Sequence, residues 1–249
     1  MAKRDTTPLP DDLRAALDGL AARDGSTREI ALATVVRGAQ QLARKERQAL
    51  GDALVDLLDA PDGHTRSFAT VPLAYLASIM VWRRSWTPRF LEWWVQEPDQ
   101  RGFVAEIGWV HAVAHGADVL GELGQTSAVP AGVLLDAVSR RLVHPSSTVW
   151  RDQEEDRVAL AVAQVLLQDD LGAAEATGWI RGLRERMTAG EAPIPATTIN
   201  TCRAMRSLYV VVDGEVPAER ARAVKHAGRV QEEIRHLLEQ VEPWLVARR

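Results

Sequence analysis

Apolar residues recur along almost the whole chain at intervals of three and four positions, which is the spacing of one face of an α-helix. Short breaks rich in proline, glycine and acidic residues interrupt the pattern, as at residues 59–63 and 97–102. We predict about eleven helices and no convincing strand. One helix carries both histidines of residues 108–118 and ends near Gly124, and the last covers residues 217–245. Asp152 and Glu155 have the spacing of a capping box.

Most of the predicted connections are short, so neighbouring helices are expected to pack as antiparallel hairpins. Stacked hairpins form an α-solenoid, in which one helix of each pair lines a concave face. Because no strict repeat is visible in the sequence, we expect degenerate repeats of the HEAT type. The predicted fold is therefore a single all-α domain over residues 1–249, with residues 1–10 as a flexible tail.

Composition limits the classes of partner. The net charge of −4 gives no general attraction to nucleic acid or to acidic lipid, and no apolar run reaches the length of a membrane span. Cys202 is the single cysteine, which excludes an internal disulfide and a cysteine-rich zinc site. We expect a cytoplasmic protein in which Cys202 is a buried, inert thiol.

Two histidines and two carboxylates share one face of a predicted helix. His111 and His115 are four positions apart, Asp118 is three further on and Glu122 four beyond that. At about 100° of rotation per residue, all four lie within roughly 60° of arc, opposite an apolar face that contains Trp109. The segment contains no lysine or arginine, the usual choices for a solvated stripe.

This stripe has three interpretations. His111, His115 and Asp118 can chelate a divalent metal ion, since two imidazoles four positions apart can turn toward one point. The same residues can form a metal-free polar site in a groove, including one for acid–base chemistry near neutral pH. They can also form a structural or solvated surface. Ala112 stands where the zinc-protease motif requires glutamate, so protease chemistry is not supported.

Aromatic and basic residues cluster on either side of residue 100. Five of the eight tryptophans, including Trp109, fall within residues 82–109, where they can line a pocket or pack in the core. Arg101 follows Glu97 and Asp99 and can bind an anion, although pairing with Asp99 is favoured. No phosphate loop, dinucleotide-binding glycine pattern or nucleophile elbow is present.

Residues 99–103, residues 108–118 and the charged group at residues 154–157 together resemble a bacterial family known as domain of unknown function 2785. The resemblance extends over most of the chain from about residue 40, with its specific motifs in the central block. It implies a helical, HEAT-like fold and no established activity. Seven residues occupy signature positions of the family: Arg101, Gly102, Gly108, Trp109, His111, His115 and Asp118.

The leading hypothesis is a cytosolic helical-repeat protein that binds a small molecule or a partner chain in its concave groove. The predicted binding residues are Arg101, Trp109, His111, His115, Asp118 and Glu122. One alternative is a metal-dependent hydrolase or oxygenase with His111 and His115 as ligands, completed by Asp118 and by Glu154 or Glu155. The other is a purely structural or assembly role. The sequence makes no prediction of oligomeric state.

Overall fold

A computed structural model of the protein describes residues 8–187, 193–217 and 221–244. Within these ranges the chain forms eleven α-helices: α1 (Asp11–Gly19), α2 (Gly25–Gln41), α3 (Arg44–Asp56), α4 (Gly63–Ser78), α5 (Trp86–Gln96), α6 (Ala112–Gln125), α7 (Ala131–Val143), α8 (Glu154–Val165), α9 (Ala173–Arg186), α10 (Ala196–Val211) and α11 (Ala227–Val241). Four two-residue strands form two small antiparallel hairpins: β1 (Phe103–Val104) with β2 (Gly108–Trp109), and β3 (Glu215–Val216) with β4 (Arg222–Ala223).

The helices alternate between two layers. The even-numbered helices α2, α4, α6, α8 and α10 pack side by side in one layer, and the odd-numbered helices α3, α5, α7, α9 and α11 do so in the other. Helices next to each other in sequence, such as α3 and α4 or α7 and α8, connect the layers. The predicted stack of helix hairpins and the all-α fold class are confirmed. Assignment of the repeats to the HEAT type stays a prediction.

Glycines allow the close packing of α6, the central helix of the even layer. A Cβ atom at Gly116 would overlap the ring of Trp94 on α5, and one at Gly124 would lie 2.8 Å from Cα of Val165 on α8. The Trp94 indole also donates a hydrogen bond to the carbonyl of Val113, over 3.1 Å. Glycine inside a helix costs about 1 kcal/mol relative to alanine, and the close approach of Trp94 explains why Gly116 is nevertheless a glycine. This packing holds α6 between α5 and α8 and so positions its half-buried polar face.

Three local predictions are wrong. The histidine helix begins at Ala112, and residues 103–109 before it form the β1–β2 hairpin instead of helix. The final helix begins at Ala227 rather than residue 217, because β4 lies in the intervening segment and pairs with β3 just before it. The capping box is absent because the N-cap of α8 is Gln153 and no side chain caps this helix end.

Three further predictions concern the N-terminal tail, Cys202 and the absence of a membrane span. Of the predicted tail, residues 1–7 lie outside the described residues, and residues 8–10 lead directly into α1. Cys202 lies buried in α10, as expected. In the part of the chain that the structure describes, no helix is long and apolar enough to cross a bilayer.

Candidate functional site

His111 lies immediately before α6 in a left-handed backbone conformation, with φ of 52°. Backbone hydrogen bonds hold it there: its N–H donates to the carbonyl of Arg101 over 3.0 Å, and its carbonyl accepts from the N–H of His115 over 2.9 Å. A left-handed conformation is uncommon for a residue other than glycine and costs free energy. These backbone contacts therefore stabilise the left-handed conformation of His111.

The His111 ring is held from its Nε2 side by the start of α8. Nε2 lies 2.9 Å from the carbonyl oxygen of Asp152, so this nitrogen carries a proton and donates. It also lies 3.4 Å from Oε1 of Glu154, whose side chain is only 1% exposed. The other carboxylate oxygen of Glu154 accepts from the backbone N–H of Asp152 over 2.9 Å. Glu154, predicted to face the histidines, does so.

His115 lies on α6 with its ring against both His111 and α4. Its Nδ1 is 2.9 Å from the hydroxyl oxygen of Ser67, and its ring meets those of Phe68 and His111 edge to face, at centroid distances of 5.8 and 5.6 Å. Burial lowers the pKa of His115 to about 3, and the nearby His111 and Arg157 add to the effect. His115 is therefore neutral at physiological pH.

Asp118 and Glu122 extend the same face of α6 toward α8. Asp118 accepts two hydrogen bonds from the guanidinium of Arg157, one of them 2.9 Å long between Nε and Oδ1. Burial nevertheless raises the pKa of Asp118. Burial also raises the pKa of Glu122, and the charge of Asp118 adds to this. Within the described residues, the Glu122 carboxylate has no ion-pair or hydrogen-bond partner.

A cleft of about 510 Å³ lies between α6 and α8. Asp118, Glu122 and Arg157 supply its charged groups. Leu160 and Ala161 form part of an apolar wall, and the amide of Gln164 completes the lining. Its volume falls within the range of small-molecule sites.

Exposed aromatic rings flank the histidines on the β1–β2 hairpin. Phe103 is 54% exposed and Trp109 is 39% exposed, with their ring centroids 5.2 Å apart. Trp109 stacks on His111 at 4.7 Å. The predicted opposition of Trp109 to the histidine face is wrong, because Trp109 belongs to a strand rather than to the helix. The hairpin thus places an aromatic wall directly against the histidine pair.

The turn of this hairpin is anchored to α2. Gly108 has φ of +79°, which glycine adopts without strain. The guanidinium of the buried Arg28 donates to the carbonyl of Ile107 in the same turn, and to the carbonyls of Ala22 and Arg23 over 2.8 and 3.0 Å. Arg28 thereby fixes the hairpin against the loop between α1 and α2.

Arg101 does not join the histidine cluster. Its guanidinium forms a two-pronged pair with the carboxylate of Asp99, with both hydrogen bonds 2.7 Å long. This is the pairing that the sequence favours. Two of the five clustered tryptophans, Trp86 and Trp94, are buried in the core, and the Trp86 indole donates to Asp52 over 2.7 Å.

The structure also brings in residues that the sequence did not indicate as part of this site. Ser67, Asp152 and Arg157 each contact a predicted site residue, although they lie on other elements. Arg157 belongs to the charged group of the family motif, which was the only signal for it. Glu155, in contrast, pairs with Arg203 of α10, whose Nη1 lies 3.7 Å from its Oε1.

The predicted three-residue metal set is not assembled. Among the described side chains, no group of three or more His, Cys, Asp or Glu residues is placed to hold a metal ion. The carboxylate of Asp118, the expected third ligand, instead accepts two hydrogen bonds from Arg157. His111 and His115 remain adjacent to each other.

Comparison with known proteins gives a family but no activity. The structure of the complex of CpcE and CpcF of phycocyanin lyase from Nostoc sp. PCC7120 matches with 17% sequence identity and a TM-score of 0.33, covering 96% of this chain and 98% of that one. No curated protein matches. A family model described as protein of unknown function (DUF2785) matches residues 59–210, which contain all the predicted site residues. The chain therefore belongs to the DUF2785 family.

Proposed function

We propose that the chain is a binding protein whose ligand carries a positively charged group and docks in the cleft between α6 and α8. The ligand is a small molecule or a segment of a partner chain. The concave placement of this face, expected for an α-solenoid, is part of the proposal. The observation that carries it is the uncompensated carboxylate of Glu122 in a cleft of ligand size.

The charges of the cleft favour a cationic ligand. Arg157 neutralises Asp118, so Glu122 is left as the one charge in the cleft lining without a counter-charge among the described residues. Burial raises the pKa of both carboxyl groups, which means that their ionised forms are poorly solvated. A bound cation would stabilise the ionised form of Glu122.

The aromatic wall supports the same ligand chemistry. Trp109 and Phe103 present exposed ring surfaces, and aromatic faces attract organic cations. His111 connects this wall to the cleft, because it stacks on Trp109 and lies close enough to Asp118 for its charge to lower the pKa of that carboxyl. A ligand bound at Glu122 can therefore extend toward the rings.

The test uses choline, agmatine, spermidine and an oligolysine peptide as cationic probes, with succinate and glucose as anionic and neutral ones. Binding is screened by thermal shift in buffer with EDTA and measured by calorimetry. We expect a cationic probe to bind, and Glu122→Gln and Trp109→Ala each to weaken it by about tenfold, or about 1.4 kcal/mol. Higher salt should also weaken it.

Matched controls are available far from the cleft. Glu239 is an exposed carboxylate on α11, and Trp244 is 74% exposed near the end of the described chain. Glu239→Gln and Trp244→Ala should leave binding unchanged. Preferential binding of succinate, or equal losses in the controls, would contradict the proposal.

A further inference from the structure

In each of the two histidines, one ring nitrogen contacts a neighbouring polar group and the other has no protein partner among the described residues. His111 donates from Nε2 to the carbonyl of Asp152, so in the neutral form of the ring Nδ1 carries the lone pair. His115 uses Nδ1 for its contact with Ser67, which leaves Nε2. Within the described residues, neither remaining nitrogen has a hydrogen-bond partner. Neither nitrogen is among the fully buried side-chain atoms that lack a hydrogen-bond partner, so each keeps some accessible surface.

The separation of the rings suits two ligands of one ion. Metal–nitrogen bonds to histidine are about 2.0–2.1 Å long, which places a ring centroid roughly 3.2 Å from the metal. Two such rings at the tetrahedral angle near 109° have centroids about 5.2 Å apart. The centroids of His111 and His115 are 5.6 Å apart, with ring planes at 69°.

The contacts behind the rings are those of metal-bound histidines. Such histidines usually bind a carbonyl, a carboxylate or another polar group through the nitrogen that faces away from the metal. His111 has the Asp152 carbonyl and the Glu154 carboxylate there, and His115 has Ser67. Oε1 of Glu154 is buried without a hydrogen bond and faces the ring of His111. A cation on the opposite side of that ring would offset this buried charge.

We propose that His111 Nδ1 and His115 Nε2 bind one divalent transition-metal ion. Imidazole ligands favour zinc, copper, nickel and cobalt over magnesium and calcium. Ser67, Asp152 and Glu154 act as positioning residues that orient the two rings. With two protein ligands, the remaining coordination positions are open to water or to donor atoms of a bound molecule. The inference goes beyond cation binding in the cleft and stands without it.

The test is metal binding by untagged full-length protein stripped with EDTA and then dialysed free of it. Calorimetry with Zn²⁺ should give one site per chain, and Co²⁺ should give a visible absorption band at the same stoichiometry. His111→Ala and His115→Ala should each lower the affinity at least about tenfold. The control is His236→Ala, which removes an exposed histidine of α11 and should change nothing.

Two further measurements do not depend on the alanine variants folding. Electron paramagnetic resonance of Cu²⁺ bound to the unaltered protein should show coupling to two imidazole nitrogens. Glu154→Gln keeps the shape of the side chain and should weaken Zn²⁺ about tenfold or more. Its circular dichroism spectrum should match that of the unaltered chain, which separates positioning from folding.

Three results would overturn the proposal: no stoichiometric metal in the unaltered protein, unchanged affinity in both histidine variants, or an equal loss in His236→Ala. Because the cleft probes are tested in EDTA, a negative metal result leaves the cation-binding result intact. A failure of the probes likewise leaves the metal titration interpretable.

Discussion

Asp152 is joined to the segment around His111 by two different groups. Its backbone carbonyl accepts from Nε2 of His111 over 2.9 Å, and its carboxylate accepts from the backbone N–H of Phe103 over 3.0 Å. It therefore binds both the first residue of β1 and the residue that directly precedes α6. The entry to α8 thus fixes the aromatic hairpin and the histidine ring relative to each other.

Gly102→Ala should break this arrangement. An added Cβ atom would lie 2.6 Å from Cβ of Asp152 and would push its carboxylate away from Phe103. We expect a loss of about 1–3 kcal/mol in the free energy of unfolding, typical of overpacking. Urea denaturation measures it, and cation binding measures the effect on the site.

The control for this change is Gly182→Ala. Gly182 lies within α9, and no described atom would come within 4 Å of the added methyl group. Alanine should raise stability there by about 0.5–1 kcal/mol, because glycine is costly inside a helix. Equal effects of the two substitutions would show that the Asp152 contact does not matter.

Arg28→Lys should loosen the hairpin while leaving the positive charge in place. The guanidinium of Arg28 reaches three backbone carbonyls at once, and lysine cannot reproduce this fork. We expect a loss of about 2–3 kcal/mol, the scale of hydrogen bonds to charged groups. Hydrogen exchange of residues 103–109 should become faster, whereas Arg37→Lys on the exposed part of α2 should not change it.

The helical part of the fold follows from local patterns and was predictable. Apolar periodicity and chain breaks placed eleven helices and put His115, Asp118 and Glu122 on one face of α6. The helical rotation of about 100° per residue gave wrong positions for His111 and Trp109, because both residues lie outside the helix. The β1–β2 hairpin is too short to show its own period. The hairpin is held in place by long-range contacts. Arg28 is 79 residues from Ile107, its partner in the hairpin, and Asp152 is 49 residues from Phe103.

The contacts that define the site are mostly long-range. Ser67 is a buried hydroxyl within an apolar helix and lies 48 residues from His115. The N-terminal position of Asp152 and Glu155 near α8 indicated a cap, but the Asp152 carboxylate binds Phe103. The sequence shows which residue types are unusual for a solvated helix face. Their partners depend on how the layers stack.

Cys202 should be unreactive in the folded protein. Burial raises the pKa of its thiol to about 12, so the nucleophilic thiolate is scarce at neutral pH. We expect no labelling by dithionitrobenzoate in native buffer and one thiol per chain in denaturing urea. Rapid labelling of the native protein would contradict this prediction.

The free energy of unfolding should decrease as the pH is lowered, because the buried His115 ring resists protonation in the folded state. Its pKa is about 3 in the folded chain and about 6.5 when unfolded, so the unfolded state binds more protons between these values. The contribution of the neutral ring is complete above pH 6.5 and declines as the pH falls toward 3. Between pH 7.5 and 5 we expect this histidine to account for a loss of about 2 kcal/mol.

The measurement is the free energy of unfolding in urea across that pH range, compared with His115→Asn. Asparagine cannot be protonated and retains an amide that can bond to Ser67, so the variant should lack this part of the pH dependence. His236→Asn, on the exposed side of α11, should follow the unaltered protein. Parallel curves for all three proteins would contradict this prediction. They would mean that His115 has a similar pKa in the folded and unfolded chains, despite its burial beside His111 and Arg157.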